Sequence, residues 1–440
     1  MVKTKWKANE ELVRQFQAVG RALLRLDMED SHSGNISTLC TDEQGREQIA
    51  ITSTGSQKGD LEPDNICFLS TDKIDTGYYK ASSETDIHAR ILAIDGVSAS
   101  VHAHTKHLTI VTWDDADKPN DPAPFEPIDP LAYYHLGGSV PVDWVAVPSG
   151  SPEMTKKIPD RLVDHPATIL QSHGTFTRGR TVLEALFLLC IADASGYMMR
   201  LAGRLGIDCD GVRQKIAADP DAFFAHRPRA YTINDDEQCD FPEEDEIVKE
   251  FQKAGGRIFE SRLSPFHTGS LSVRGVDTML FAPKGSMPRD LRGPLLRLPL
   301  AAARDDAADL AIHKAIYAES NFQTVAHCYI PEAELLTHFV YPGDDAPDDR
   351  LVAIDAEGSF LYLVTPIVPP DVSVDELIRL LHDYKVVIVR GGGVWGVGMQ
   401  SLSEVLHHPS SVREMCLYRI GAFERGLDLR KLEPPKAKNW

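Results

Sequence analysis

Two short segments of this chain carry residue types at spacings that suit catalysis, Val101-His102-Ala103-His104-Thr105-Lys106-His107 and Ser172-His173-Gly174. In an extended segment side chains alternate, so His102 and His104 point to one face. A third imidazole at His173, beside a glycine, closes a three-nitrogen site with one position open, the arrangement that suits a catalytic Zn²⁺. Ser82-Ser83-Glu84 places a carboxylate behind two hydroxyls, and Glu84 is the expected general acid/base. The backbone amides of Gly34, Asn35 and Gly55, with the hydroxyls of Ser53, Thr54, Ser82 and Ser83, are expected to cradle an anion near a helix starting at Ser82. His107, three residues past the pair, is expected to orient a ligand or the substrate.

The bulk properties limit what such a site serves. The chain has 440 residues, 42% of them hydrophobic and 25% charged, as in a soluble protein of two ordinary domains. A net charge of −19 argues against a nucleic-acid or anionic-membrane binder. It leaves room for a small anionic substrate, because a bound divalent cation reverses the local field. Seven scattered cysteines without a Cys-x-x-Cys suggest neither a disulfide framework nor a zinc knuckle. The N-terminus lacks the apolar core of a signal peptide, and the apolar run near 183–192 is short for a bilayer span. The expected location is cytoplasmic.

The chain is written twice. Glu11 to Gln17 is echoed by Glu246 to Gln252, and Ser33-Gly34-Asn35-Ile36-Ser37 by Thr268-Gly269-Ser270-Leu271-Ser272, both at an offset of 235. Thr54-Gly55-Ser56 recurs as Lys284-Gly285-Ser286 at 230, His88 and His102 as His313 and His327 at 225, and Gly174 and Gly179 as Gly393 and Gly398 at 219. Ordered echoes with a slowly shrinking offset read as a duplication with small loop deletions. The domains are expected at 1–225 and 246–440, joined by an acidic, Pro-containing linker at 226–245. Apolar spacing predicts helices over 9–26, 83–94 and 181–205, the last starting just after the His173 loop. Strands are expected near Ile36, 49–52, 97–104 and 167–171. The sum is an α/β domain with a mixed sheet, present twice. Tyr133 and Tyr134 are placed in a loop before Gly137-Gly138. Gly391-Gly392-Gly393-Val394-Trp395-Gly396 aligns with the His173 loop and is not read as a nucleotide-binding loop.

The duplication supplies an internal comparison. In the second copy Tyr329 stands for His104, Gly392 for His173, and Ala307-Ala308-Asp309 for Ser82-Ser83-Glu84. Packing residues remote in sequence have no reason to be lost together, whereas the parts of one active site do. The first copy reads as catalytic and the second as architectural, and His88, retained as His313, reads as structural.

Ser33-Gly34-Asn35, Thr52-Ser53-Thr54-Gly55, Lys80-Ala81-Ser82-Ser83-Glu84, His102 to His107 and Ser172-His173-Gly174 occur in an order and spacing that resemble the class II aldolase/adducin family. The resemblance covers all of the first copy and the second more faintly. It implies two tandem α/β/α layered domains with a mixed, largely antiparallel central sheet. It implies a divalent metal on His102, His104 and His173, usually Zn²⁺, with Mn, Fe or Co as alternatives. Glu84 is then the acid/base, and Gly34, Asn35, Ser53, Gly55, Ser82 and Ser83 hold a phosphate or carboxylate. The implied chemistry is C–C cleavage through a metal-stabilised enolate, by decarboxylation or retro-aldol reaction. The tandem architecture differs from that of single-domain sugar-phosphate aldolases, and the tyrosine those enzymes use as a proton donor has no counterpart at its spacing. Two rival readings stand beside it: a non-catalytic adducin-like binding protein, and a metal-dependent oxygenase on the same fold.

Single-domain relatives typically form fourfold rings, so a duplicated chain is expected to be a homodimer that mimics a tetramer. Light scattering on a size-exclusion peak is expected to give the mass of two chains, and a stable monomer would overturn this expectation.

Overall fold

The computed structural model describes residues 10–30, 32–42, 44–70, 80–113, 122–148, 150–219, 245–286, 295–302 and 308–439. The expected linker at 226–245, Asp245 apart, and Ala307 lie outside them. By internal contacts the chain divides into two compact units, with the main change of unit between Tyr197 and Met198.

In the first copy, apolar residues at helical spacing make α1 (Glu10–Arg25), whose Leu12, Phe16, Val19 and Leu23 are buried. Strands β1 (Asn35–Thr41), β2 (Glu47–Thr52) and β3 (Ile66–Ser70) follow, then α2 (Thr85–Leu92), β4 (Ala99–Ala103), α3 (Lys106–Val111) and α4 (Pro130–Leu136). The order continues with β5 (Val142–Asp143), α5 (Pro152–Asp164), β6 (Ala167–Leu170), β7 (Gly174–Gly179), α6 (Val182–Leu205) and α7 (Cys209–Ala218). The sheet runs β3-β2-β1-β4-β7-β6-β5. All its pairs are antiparallel except β5 with β6. Ile87, Ile91, Met154, Ile158 and Leu162 of α2 and α5 pack with Phe176 on one face. On the other face, the Thr177 hydroxyl donates to the Ala185 carbonyl of α6 at 2.8 Å.

The second copy repeats this plan. It holds α8 (Glu246–Glu260), β8 (Ser270–Arg274), β9 (Thr278–Ala282), β10 (Leu296–Pro299), α9 (Ala308–Ala318), β11 (Thr324–Cys328) and α10 (Pro331–Leu336). After these come β12 (Arg350–Val352), α11 (Ala356–Leu361), β13 (Val364–Val368), α12 (Val374–Tyr384), β14 (Val386–Val389), β15 (Gly393–Gly398), α13 (Leu402–Glu424) and α14 (Leu429–Leu432). Its eight strands run β10-β9-β8-β11-β15-β14-β13-β12. Alternation assigns each strand to two cores. Val386, Ile388 and Val394 pack with Phe251 of α8 and Val405 and Met415 of α13. Val387, Val389 and Trp395 pack with Ile316 of α9 and Leu377 and Leu381 of α12. Helices therefore cover both faces of a mixed, largely antiparallel sheet, as expected.

Several elements differ from the sequence reading. The helix after Glu84 starts at Thr85 rather than Ser82, and β7 lies between His173 and α6. Strand β7 begins and ends on glycine, so its Thr-Phe-Thr alternation reads as turn until its partners are known. Tyr133 and Tyr134 sit on α4, not in a loop, and the Gly391–Gly396 stretch leads into β15. Helix α6 is long and apolar enough to cross a bilayer, contrary to the estimate from its central run, but it is a core helix, 78% buried over its most apolar window. The six described cysteines are free thiols.

Burial holds the imidazoles of His88 and His267 down to about 4. It is the leading cause for both rings, opposed at His88 by the Glu84 charge and at His267 by the nearby Ala282 backbone. An unfolded chain protonates both rings near the ordinary value of about 6.5, so it binds more protons than the fold between about 6.5 and 4. Their contribution, on the order of 3 kcal/mol for each ring, is present above that window and lost as pH falls through it. Urea midpoints are expected to drop steadily between about pH 6.5 and 4.5. A flat profile there would show that these rings are not held neutral.

Candidate metal and acid–base centre

The register of β4 places the first candidate ligand. His102 lies opposite Asn35 on β1 and Phe176 on β7. Its ring stacks on Phe176 at 3.8 Å and 10°. Its Nδ1 donates to the Thr175 carbonyl at 3.0 Å, which fixes the tautomer and leaves the Nε2 lone pair available as a ligand. His104, one residue beyond the strand, keeps to the same side, with its ring 5.3 Å from that of His102.

His173 comes from the turn between β6 and β7. Ser172 holds a left-handed conformation there (φ 61), where the second copy has Gly391 (φ 64). A Cβ on Gly174 would stand 2.3 Å from the Ala103 carbonyl oxygen and 3.1 Å from His102 Cε1, so only glycine permits this approach. The turn brings His173 Nε2 to 2.9 Å from His102 Nε2. One nitrogen from each of His102, His104 and His173 lies within 4.8 Å of the others. Burial holds His102 well below the usual imidazole range and lowers His104 as well, so both favour the neutral, ligating form. Three converging imidazoles, two of them held neutral and one with its tautomer already fixed, fit a Zn²⁺-type cation.

Glu84 stands at the start of α2 but makes no side-chain cap bond to that helix. Its carboxylate turns inward, 3.3 Å from His173 Nε2 and 3.7 Å from His102 Nε2. Asn35 Nδ2 donates to it at 2.9 Å and lies 3.1 Å from Ser82 Oγ. Burial raises the Glu84 carboxyl, but His102, His173 and Asn35 together outweigh it and hold the group below the usual carboxylate range. The Asn35 amide is itself oriented from beneath. Its carbonyl oxygen accepts from His88 Nε2, and His88 Nδ1 accepts from Ser37 Oγ at 2.6 Å. His88 is therefore structural, as its recurrence suggests, and its structural task in this copy is to aim Asn35 at Glu84.

The hydroxyl-rich loop runs beside this centre. Thr54 donates from its amide to the Lys80 carbonyl at 2.9 Å and from its hydroxyl to the Ala81 carbonyl at 2.8 Å. That pairing sets Ser53, Thr54 and Gly55 along Ser82 and Ser83. Thr54, Gly55 and Ser83 are exposed, while Asn35, Ser53 and Ser82 are buried. Gly34, at φ 72, makes a second close approach, since a Cβ there would meet the Glu29 carboxyl and the His102 carbonyl oxygen. The His107 ring lies 5.1 Å from that of Tyr197, and the bond that orients His102 comes from the Thr175 carbonyl.

Three residues near the centre escaped the sequence reading. Glu29 is buried beneath Gly34, and neither of its carboxyl oxygens has a hydrogen-bond partner among the described residues. Burial raises it well above the usual range, against the attraction of Lys58. Lys58, also buried, donates to the carbonyls of His32 and Ser56 at 3.2 and 2.8 Å. Asp193, pushed up to about 6 by burial, accepts from the Leu108 amide at 3.1 Å and so secures the start of α3, just after His104. The duplication held the signal for all three: Ser264, Pro288 and Val412 occupy their places in the second copy.

The model of the class II aldolase and adducin N-terminal domain family matches residues 14–198 and 249–419. The chain belongs to that family and carries its domain twice. Among solved structures, an L-fuculose-1-phosphate aldolase from Thermus thermophilus is 24% identical, covering 44% of this chain and 95% of its own, with a TM-score of 0.39. A sugar-phosphate aldolase from Thermotoga maritima is 20% identical, covering 44% and 95%, with a TM-score of 0.38. An aldolase II superfamily protein from Pseudomonas syringae is 18% identical, covering 48% and 85%, with a TM-score of 0.37.

The close approach at Gly174 yields a direct test. Gly174→Ala forces β7 away from Ala103 and His102, and overpacking of this kind costs about 1–3 kcal/mol. Thermal melts with and without added Zn²⁺ are expected to show lower stability and a smaller shift on metal addition than in the parent protein. An unchanged metal-induced shift would separate this turn from the metal centre.

Proposed function

We propose that the chain is a metal-dependent lyase that cleaves a C–C bond in a small oxygenated carboxylate or phosphate. One observation carries this reading: the Glu84 carboxylate lies within 3.7 Å of both His102 Nε2 and His173 Nε2. His102, His104 and His173 would hold the divalent metal, with Zn²⁺ the first choice. When bound, the metal supplies positive charge to an oxyanion developing on the substrate as the bond breaks.

The residues divide the remaining work. Ser53, Thr54, Gly55, Ser82 and Ser83 bind the substrate's anionic end and fix its distance from Glu84. Glu84, ionised as a carboxylate ordinarily is near neutral pH and bonded by Asn35, is placed to accept a proton. In retro-aldol cleavage Glu84 takes the substrate hydroxyl proton, the C–C bond breaks, and the same proton passes to the carbanion carbon. Decarboxylation uses the return step alone and needs Glu84 loaded with a proton beforehand. The homodimer and a cytoplasmic location belong to this proposal.

Elemental analysis is expected to find about one divalent metal per chain, lost with His104→Ala. Glu84→Gln is expected to keep the metal and lower kcat by about 10²–10⁴-fold on an accepted substrate. Candidate hydroxy-carboxylates and sugar phosphates would be assayed for released carbonyl product and for CO₂, before and after dialysis against a chelator. Chelator-resistant activity, or full activity in Glu84→Gln, would overturn the proposal.

A further inference from the structure

The second copy has lost one half of the site and kept the other. Tyr329 and Gly392 replace two of the three metal-ligand positions. The surviving imidazole is engaged elsewhere, with His327 Nε2 donating to the Gly392 carbonyl at 2.7 Å. The anion-loop half keeps its backbone and its internal bonds. Gly285 keeps the left-handed φ of Gly55, at 84° against 72°. The Ser286 hydroxyl donates to the Pro283 carbonyl at 2.8 Å, as Ser56 does to Ser53 at 2.8 Å. Gly269 makes the same close approach to the His327 carbonyl that Gly34 makes to that of His102.

This half has also gained buried polar character. Lys284 replaces the exposed Thr54 and is buried, within electrostatic range of Asp309. His267 and Thr268 replace the exposed His32 and half-buried Ser33, at 1% and 2% exposure. Among the described residues, Thr268 Oγ1, both ring nitrogens of His267 and Asp309 Oδ2 have no hydrogen-bond partner. The Ala282 backbone approaches the His267 ring and Ser270 approaches Asp309, but neither completes a bond to these atoms. The amide of Gly285 donates to the His267 carbonyl at 2.7 Å, which sets the 267–268 turn against the Lys284 loop. Each buried polar group left unpaired costs about 1–3 kcal/mol. Drift in an idle site would remove that cost by apolar replacement, whereas here the polar groups have become more buried.

We propose that the second copy binds a small oxyanion, a phosphate or carboxylate group, on Thr268, His267, Lys284 and Asp309 without a metal. Lys284 supplies the charge, and the Thr268 hydroxyl and His267 ring donate hydrogen bonds. Burial raises the Asp309 carboxyl, which makes that group easier to protonate when an oxyanion arrives. The site shares no residue with the metal centre and is present once in each chain.

Calorimetric titration of the full-length, chelator-treated protein with inorganic phosphate, and separately with malonate, tests the proposal. A Thr54→Asp background sets a carboxylate in the first copy's loop to suppress binding there. Phosphate or malonate binding is expected to persist in that background and to weaken at least about tenfold with Lys284→Met, as loss of a charged hydrogen-bond partner implies. Thr268→Val, which exchanges a hydroxyl for a methyl of similar volume, is expected to weaken it too and carries the test if Lys284→Met does not fold. Failure of the Thr54→Asp protein to bind either anion, or affinity unchanged by either substitution, overturns the proposal. The experiment involves neither metal nor turnover, so its outcome is independent of the lyase reading.

Discussion

The antiparallel seating of β4 between β1 and β7 is the constraint on which the first copy's site depends. That register sets His102 opposite Asn35 on one side and Phe176 on the other. From this pairing follow the stack that holds the imidazole and the turn that delivers His173. The same pairing places the amide that meets Glu84. A slip by one residue would move His102 to the opposite face of the sheet and separate it from both other histidines. The second copy keeps the register, with His327 opposite Ser270 and Trp395, although Tyr329 and Gly392 stand where the first copy has His104 and His173. The strand pairing is thus a property of the fold, present with and without the three histidines.

Two close backbone approaches turn that pairing into a centre. Gly174 and Gly34 let neighbouring chain segments pack against the end of β4, where any side chain would collide with backbone. Both positions are glycine in the second copy as well, so neither marks catalysis by itself. What distinguishes the first copy is what the approaches bring together. Three imidazoles, two of them kept neutral by burial, meet a carboxylate that lies 3.3 Å from His173 Nε2 and accepts a hydrogen bond from the Asn35 amide. Asn35 links the parts, because its orientation is fixed by His88 below and its donors face Glu84 and Ser82. In the second copy Ser270 takes the place of Asn35 and bonds His313 directly, which shortens the chain of bonds and ends it there.

Much of this was legible from residue types and spacing. Alternation placed His102 and His104 on one face, the duplication divided the chain, and Tyr329 and Gly392 opposite His104 and His173 singled out the first copy as the candidate site. Other features were hidden for physical reasons. Strand β7 has glycine at both ends, so local propensity reads it as turn, and only pairing with β4 and β6 makes it a strand. Glu29, Lys58 and Asp193 look like surface charges in sequence. Their burial is a consequence of packing against Gly34, the Ser56 turn and the start of α3.

The amino-acid sequence alone determined the twofold plan and the identity of the candidate ligands, because these rest on periodicity and on comparison within one chain. Tertiary structure decided the rest. It turned Glu84 from a helix-capping position toward the histidines, gave the orienting bond on His102 to Thr175 rather than His107, and left Thr268, His267 and Asp309 buried, with atoms that find no hydrogen-bond partner among the described residues. Those outcomes depend on which groups meet across the sheet. Contacts such as those of His102 with Thr175 and His173, 73 and 71 positions away, are not encoded in any local pattern.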